Sequence, residues 1–203
     1  VMDKKHAPYL FFMGVGDFAV VKDQWRSIPV DYYVEKEYEP YAKEIFGLTP
    51  EMMEFYSKKL GYDYPWQKYS QMVARDYVSG AMENTTAVLH AEAAQQKTGD
   101  LIDENKWEAT IAHELFHHWF GDLVTTESWS NLTVNESFAN YSEYLWFEHK
   151  YGVDEAAYHL KTDLGRYIHT VEDFRKDLVR FDYDSREDMF DLVSYNKGGG
   201  ILH

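Results

Sequence analysis

Apolar and polar positions divide the chain into an early part with strand-like runs and a later part with helical spacing. Residues 9–21 and 27–34 are rich in aromatic and β-branched side chains, which predicts two strands. Residues 37–46 and 50–60 predict helices, the second with Thr49 as its cap and Pro50 in its first turn. Gly61, Asp63 and Pro65 mark a loop. Residues 69–78 predict a strand leading to Gly80, and residues 86–90 another. Helical spacing then dominates over 102–120, 135–151 and 154–172, the last with Tyr158, Leu160, Leu164 and Ile168 as expected core. There is no repeat, low-complexity segment or clear linker. Sheet first and helices later predicts an α+β domain.

One helix carries unusual chemistry. His113-Glu114-Leu115-Phe116-His117 places two imidazoles at i and i+4, one above the other on a helix face, so both can reach one metal ion. Glu114 is turned by about 100° from His113, to the edge of that face. There it can touch a water on the metal without filling a ligand position, the arrangement of two ligands and a general base. The alternative is a surface helix that happens to carry two histidines. Trp107, Ala109, Ile111, Ala112, Leu115, Phe116, Trp119 and Phe120 make the segment apolar around much of its circumference, as in a buried helix. Polar groups in such a helix are costly unless something binds them. A catalytic zinc usually takes three protein ligands and keeps an open position. Glu136, at the start of the next helical run, is a candidate third ligand; an ordinary first-turn glutamate that favours the helix dipole is the competing reading.

With these segments the chain resembles the zinc aminopeptidases of the aminopeptidase N family, gluzincins with a thermolysin-like catalytic domain. Gly80-Ala81-Met82-Glu83-Asn84 is similar to the family's exopeptidase motif, and it lies upstream of the HExxH helix as in the family. Eighteen residues separate His117 from Glu136, the spacing of the family's HExxH-(x)18-E signature. Ser194-Tyr195-Asn196-Lys197-Gly198 looks like the segment that carries the catalytic tyrosine. The resemblance implies one zinc ion held by His113, His117 and Glu136, with Glu114 as base and Tyr195 as oxyanion donor. It implies that Gly80, Ala81, Met82, Glu83 and Asn84 bind substrate, Glu83 pairing with a free α-ammonium. Glu143, seven residues after Glu136 on the same helical face, could orient a ligand imidazole; a solvent-facing glutamate is the alternative. Tyr195 is one of 17 tyrosines and carries no special weight without the motif. The family pattern is not matched everywhere: His118 stands where Gln is usual, Asp122 where Asn is, Phe116 where a small residue is commoner, and Ser137 where Gly is frequent. His118 is five residues from His113 and points off the ligand face, so packing or a nearby hydrogen bond is its expected role.

The implied architecture is a single, partial peptidase domain over 1–203, with a β-sheet-rich part over about 1–100 and a helical, zinc-site part over about 101–203. The implied function is removal of N-terminal residues from peptides by a metal-activated water. A thermolysin-like endopeptidase with Glu83 idle, and a zinc-bearing domain kept for binding or scaffolding, are the alternatives. The net charge of -15 argues against nucleic-acid binding and against attraction to acidic membranes. Without cysteine, neither disulfides nor a thiolate site can form. No segment is apolar and long enough to span a membrane. The chain reads as a piece from within a longer protein, so its ends say nothing about compartment, and composition leaves the oligomeric state open.

Overall fold

The computed structural model describes residues 2–170 and 175–203. It holds two compact units, one running to His118 and the other from Trp119 to His203.

The first unit is built on a five-stranded mixed sheet of order β1-β2-β3-β5-β4. Strands β1 (Phe18–Trp25) and β2 (Ile28–Glu35) form an antiparallel hairpin across a tight turn, in which Arg26 takes φ +50. Strand β1 begins later than its apolar run predicts. Gly14 and Gly16 interrupt that run, Phe11, Met13 and Val15 lie exposed, and only a short 3-10 turn forms at Pro8–Leu10. The expected 37–46 helix is likewise divided. Pro40 lies in a 3-10 stretch, Lys36–Tyr41, and α1 covers only Ala42–Phe46.

Helix α2 (Thr49–Leu60) ends where Gly61 turns left-handed at φ +64, and its last carbonyls are taken by the Gly61 and Tyr62 amides. Thr49 does not cap it. The Thr49 hydroxyl donates to the Phe46 carbonyl at 2.7 Å and accepts from Gln71 Nε2 at 2.8 Å. Strands β3 (Tyr69–Ala74) and β5 (Ala87–Ala91) continue the sheet in parallel from β2, and β4 (Ala81–Met82) closes it as an antiparallel edge. The core lies between sheet and helices. Val30, Tyr32 and Val34 of β2, Tyr69 and Val73 of β3 and Val88 of β5 are buried with Ile45, Phe46, Met52, Met53 and Tyr56.

Helix α3 (Glu108–Phe116) is shorter than the expected 102–120. Ahead of it, Asn105 Oδ1 accepts the Trp107 amide at 3.0 Å while Asn105 Nδ2 donates to the Ile45 carbonyl at 2.7 Å. Such local side-chain bonds compete with helix propagation. Beyond it, Gly121 at φ +139 turns the chain away.

The second unit is helical. A 3-10 turn at Trp129–Asn131 leads into α4 (Thr133–Tyr151), which Gly152 at φ +98 joins to α5 (Val153–Ile168). A π-helical turn, Val193–Lys197, runs directly into α6 (Gly198–Leu202). Helix α4 packs against α5, α6 and the π turn. Gly198 permits the close approach: a Cβ there would fall 1.8 Å from Ser137 Oγ.

The inward face of α5 differs from the expected one. Ala156, Asp163 and Tyr167 are buried, whereas Tyr158 and Ile168 are 68% and 58% exposed. Asp163 sets that face, accepting Asn140 Nδ2 at 2.8 Å and, at its carbonyl, Asn196 Nδ2 at 3.1 Å. Glu172, the expected end of this helix, lies outside the described residues. Among those described, no helix is long and apolar enough to cross a membrane.

Candidate active site

Residues 111–119, which include the C-terminal part of α3, are all buried, so the polar side chains there must be satisfied within the protein or by a ligand. One helical turn brings the His113 and His117 rings to 4.8 Å between centroids at 74°. A nitrogen of each lies within 4.8 Å of one on the other. Two buried imidazoles so close, in a chain without thiolates, fit a zinc ion as donors.

The same helix gathers a second group. Ligating atoms of Glu83, Glu114 and His117 all lie within 4.8 Å of one another, and all three residues are buried. Glu83 arrives from the sheet edge. It directly follows β4, whose register on β5 pairs Ala81 with His90 and Met82 with Leu89. The Gly80 carbonyl accepts the Ala91 amide at 2.8 Å, and Asn84 Nδ2 donates to the Leu10 carbonyl at 3.0 Å. A Cβ on Gly80 would meet nothing within 4 Å. Packing inside the fold therefore does not require glycine here, and the exposed position leaves room for another chain beside an edge strand.

His118 points away from this group. Its Nε2 accepts the Thr86 amide at 3.0 Å, so Nδ1 carries the proton and donates to the Glu114 carbonyl at 3.2 Å. Its ring stacks on Tyr64 and meets the edge of Tyr69. Burial, only partly opposed by these bonds, depresses its pKa to about 3, so the ring is neutral.

Two features were missed in the sequence. Tyr77 is half-buried, and its phenol is held above its usual pKa by burial first and then by the negative charges of Glu114 and Glu83. Its position shortly before the Gly80 motif is the only hint of this. His90 is the other. Its Nδ1 accepts Trp107 Nε1–H at 3.1 Å and its Nε2 donates to Gln71 Oε1 at 2.9 Å. Gln71 donates on to Thr49, so a directed chain of bonds ties the start of α3 to β5, β3 and α2.

The second unit carries the remaining candidates. Glu136 is buried in the first turn of α4. At the next residue, the Ser137 hydroxyl donates to the Ser194 carbonyl at 2.7 Å and so holds the π turn against α4. Tyr195, half-buried, lies within that π turn, a geometry frequent at functional sites. Glu143 Oε2 meets His159 Nε2 at 2.9 Å. Glu143, His159 and Asp163 have ligating atoms within 4.8 Å of one another. Burial opposes charge on His159, but the hydrogen bond and charge of Glu143 outweigh it and hold its pKa above the usual value.

A mixed sheet with a buried HExxH helix on one side of its core, followed by helices, defines an α+β domain of the thermolysin-like metallopeptidase class. The family model described as Peptidase family M1 domain matches residues 45–203, and the chain belongs to that family. It is 32% identical over 210 residues to the Tricorn protease-interacting factor F2 of Thermoplasma acidophilum, covering 98% of this chain and 26% of that protein. It is 38% identical over 129 residues to Aminopeptidase N of Streptomyces lividans, covering 62% of this chain and 15% of the other. It is 30% identical over 207 residues to Endoplasmic reticulum aminopeptidase 2 of Bos taurus, covering 96% and 21%. The chain spans about a quarter of the length of the first of these relatives.

Proposed function

We propose that the protein is a zinc-dependent aminopeptidase that removes the first residue from peptides with a free amino terminus. One observation carries this reading: the ligating atoms of Glu83, Glu114 and His117 lie within 4.8 Å of one another. In an N-terminal residue, the ammonium nitrogen and the scissile carbonyl carbon are only about 2.5 Å apart across Cα. A carboxylate that reads the ammonium must therefore lie beside the base that acts on the carbonyl. An endopeptidase has no use for a buried carboxylate there.

His113, His117 and Glu136 would hold the ion, the first from α3, the second from the residue that caps it and the third from the first turn of α4. When bound, zinc would lower the pKa of a coordinated water and polarise the substrate carbonyl. Glu114 takes the proton of the attacking water and returns it to the leaving amine. The Tyr195 phenol donates to the carbonyl oxygen as negative charge develops on it. Glu83 offers the α-ammonium a charge-assisted partner, and the 80–84 segment, which contains the edge strand β4, runs alongside the substrate backbone. Glu143, seven residues on from Glu136 along α4, would orient a ligand imidazole from an outer position; its carboxylate also meets His159. The relatives named as aminopeptidases support the same reading.

The test compares a free-amine peptide with its acetylated twin on the complete zinc-loaded protein. The free-amine peptide should be strongly preferred. Glu83→Gln should erode that preference while leaving zinc content unchanged. Efficient internal cleavage of acetylated peptides by the wild type would replace this reading with the endopeptidase one.

A further inference from the structure

Just past Asn84 the backbone is strained. The Ala87 amide donates to the Asn84 carbonyl at 2.8 Å and closes a four-residue turn, with Thr86 in third position at φ +69. That position of a type II turn calls for a left-handed residue and normally carries glycine. A β-branched residue is an outlier there, held only where its surroundings over-determine it. Here both of its backbone groups are bound. The Ser70 amide donates to the Thr86 carbonyl at 2.9 Å, and the Thr86 amide donates to His118 Nε2 at 3.0 Å. The other nitrogen of the same ring is fixed to the Glu114 carbonyl at 3.2 Å. Trp66 Nε1 donates to the His118 carbonyl at 3.0 Å, so the ring's own backbone is anchored as well.

One imidazole thus joins the turn that follows Glu83 to the residue that carries the base. We propose that His118 is a positioning residue for the exopeptidase step: its ring sets the separation of the Glu83–Asn84 segment from α3, and hence of the amine-reading carboxylate from Glu114. The inference rests on the reading of Glu83 given above. A longer or shorter span would shift the ammonium site against the carbonyl under attack. Misplacements of about 1 Å can cost a hundredfold in rate. A histidine that merely filled the core would act on stability and not on the choice between free and blocked amines.

The experiment uses the complete zinc-loaded protein with His118→Phe, His118→Gln and Glu83→Gln. The quantity read is kcat/KM for a free-amine peptide divided by that for its acetylated twin. Phenylalanine keeps the ring but removes both nitrogens, and the ratio should fall about tenfold or more, mainly through KM. Glutamine can still accept from Thr86 and donate to Glu114, and it should keep most of the ratio. Zinc content should not change. Metal-free protein should show the same ranking in its affinity for an amino-acid amide, measured by calorimetry. If His118→Phe does not fold, His118→Asn, too short to span both partners, takes its place. A ratio and an amide affinity unchanged in the variant lacking the span, while Glu83→Gln lowers both, would overturn the role of His118 alone. Values unchanged in Glu83→Gln as well would overturn the reading of Glu83 and this inference together.

Discussion

The two units treat buried polarity in opposite ways. In the first, the fully buried imidazoles His90 and His118 are neutral, each nitrogen matched to a donor or an acceptor, and burial depresses both to about 3. In the second, His159 is pulled above its usual pKa by Glu143. Asp163 is raised too, by burial first and then by the charge of Glu143. Neutral rings fixed by one-way hydrogen bonds make a rigid frame that does not respond to pH near neutrality. An imidazole whose charge is supported by a neighbouring carboxylate makes a frame that does. The carboxylates that would do chemistry, Glu83 and Glu114, sit in the rigid unit, where their mutual distance is best preserved.

The largest expected effect tests whether Glu114 is a reacting group or one more structural polar residue of that frame. In the complete protein, Glu114→Gln keeps the shape and removes the basicity. Turnover should fall by about two to four orders of magnitude. Zinc content by elemental analysis and the melting temperature should stay close to wild type. A kcat near the wild-type value would place Glu114 among the structural groups and leave the first unit without its base.

A smaller effect addresses the neutral frame itself. His90 has an ordinary value of 6.5 and a folded value of about 3. Between these the unfolded chain binds a proton that the folded one does not. The contribution of His90 to stability is therefore present above about pH 6.5 and is lost as the pH falls. The slope approaches about 1.4 kcal/mol per pH unit once the unfolded histidine is fully protonated. Hydrogen exchange of β3, β5 and α2 amides should report faster opening as the pH is lowered from 6.5 to 4.5, after correction for the intrinsic rate. His90→Gln should be less stable at neutral pH but should show a shallower acid slope. An equal slope in variant and wild type would mean that this ring is not held neutral.

Much of this was legible in the sequence, and what was not has physical reasons. The HExxH helix, the Gly80 motif and Glu136 are local patterns, so their residues could be named before any contact was known. The α+β order followed from the change in apolar spacing along the chain. Helix ends were less legible because distant groups decide them: Asn105 reaches both Ile45 and Trp107, and this stops α3 at a point that its apolar spacing does not mark. The face of α5 was misjudged because a polar residue, Asp163, turns inward to meet Asn140, whereas apolar Tyr158 and Ile168 face solvent. The Thr85-Thr86 turn was hidden because its left-handed position carries no glycine. His90 was hidden for a related reason, whereas His118 was expected to pack or to hydrogen-bond nearby and does both, with only its partners left open. A lone histidine in an apolar run shows neither its tautomer nor its partner, and both depend on groups far away in the chain.

The smallest expected effect concerns the second unit and should run the opposite way with pH. His159 faces Glu143 at 2.9 Å, lies near Asp163 and Arg166, and stacks on Phe147 with centroids 4.9 Å apart. Its folded pKa is raised above 6.5, so the folded state holds a proton that the unfolded chain gives up first. That stability is fully present below about pH 6.5 and is lost as the pH rises through the folded value. The Glu143–His159 pair is mostly shielded from solvent, at 12% and 20% side-chain exposure, and ion pairs measured at protein surfaces contribute up to about 1 kcal/mol. Raising the pH from 6 to 9 should therefore loosen α4 and α5 by about that amount, read as faster hydrogen exchange of their amides after correction for the intrinsic rate. The sheet amides of the first unit should show no matching loss over the same range. His159→Gln should flatten the dependence in α4 and α5 while leaving the acid slope of the sheet untouched. If both units moved together over that range, or if the variant kept the wild-type dependence, the division between a neutral frame and a charged one would not hold.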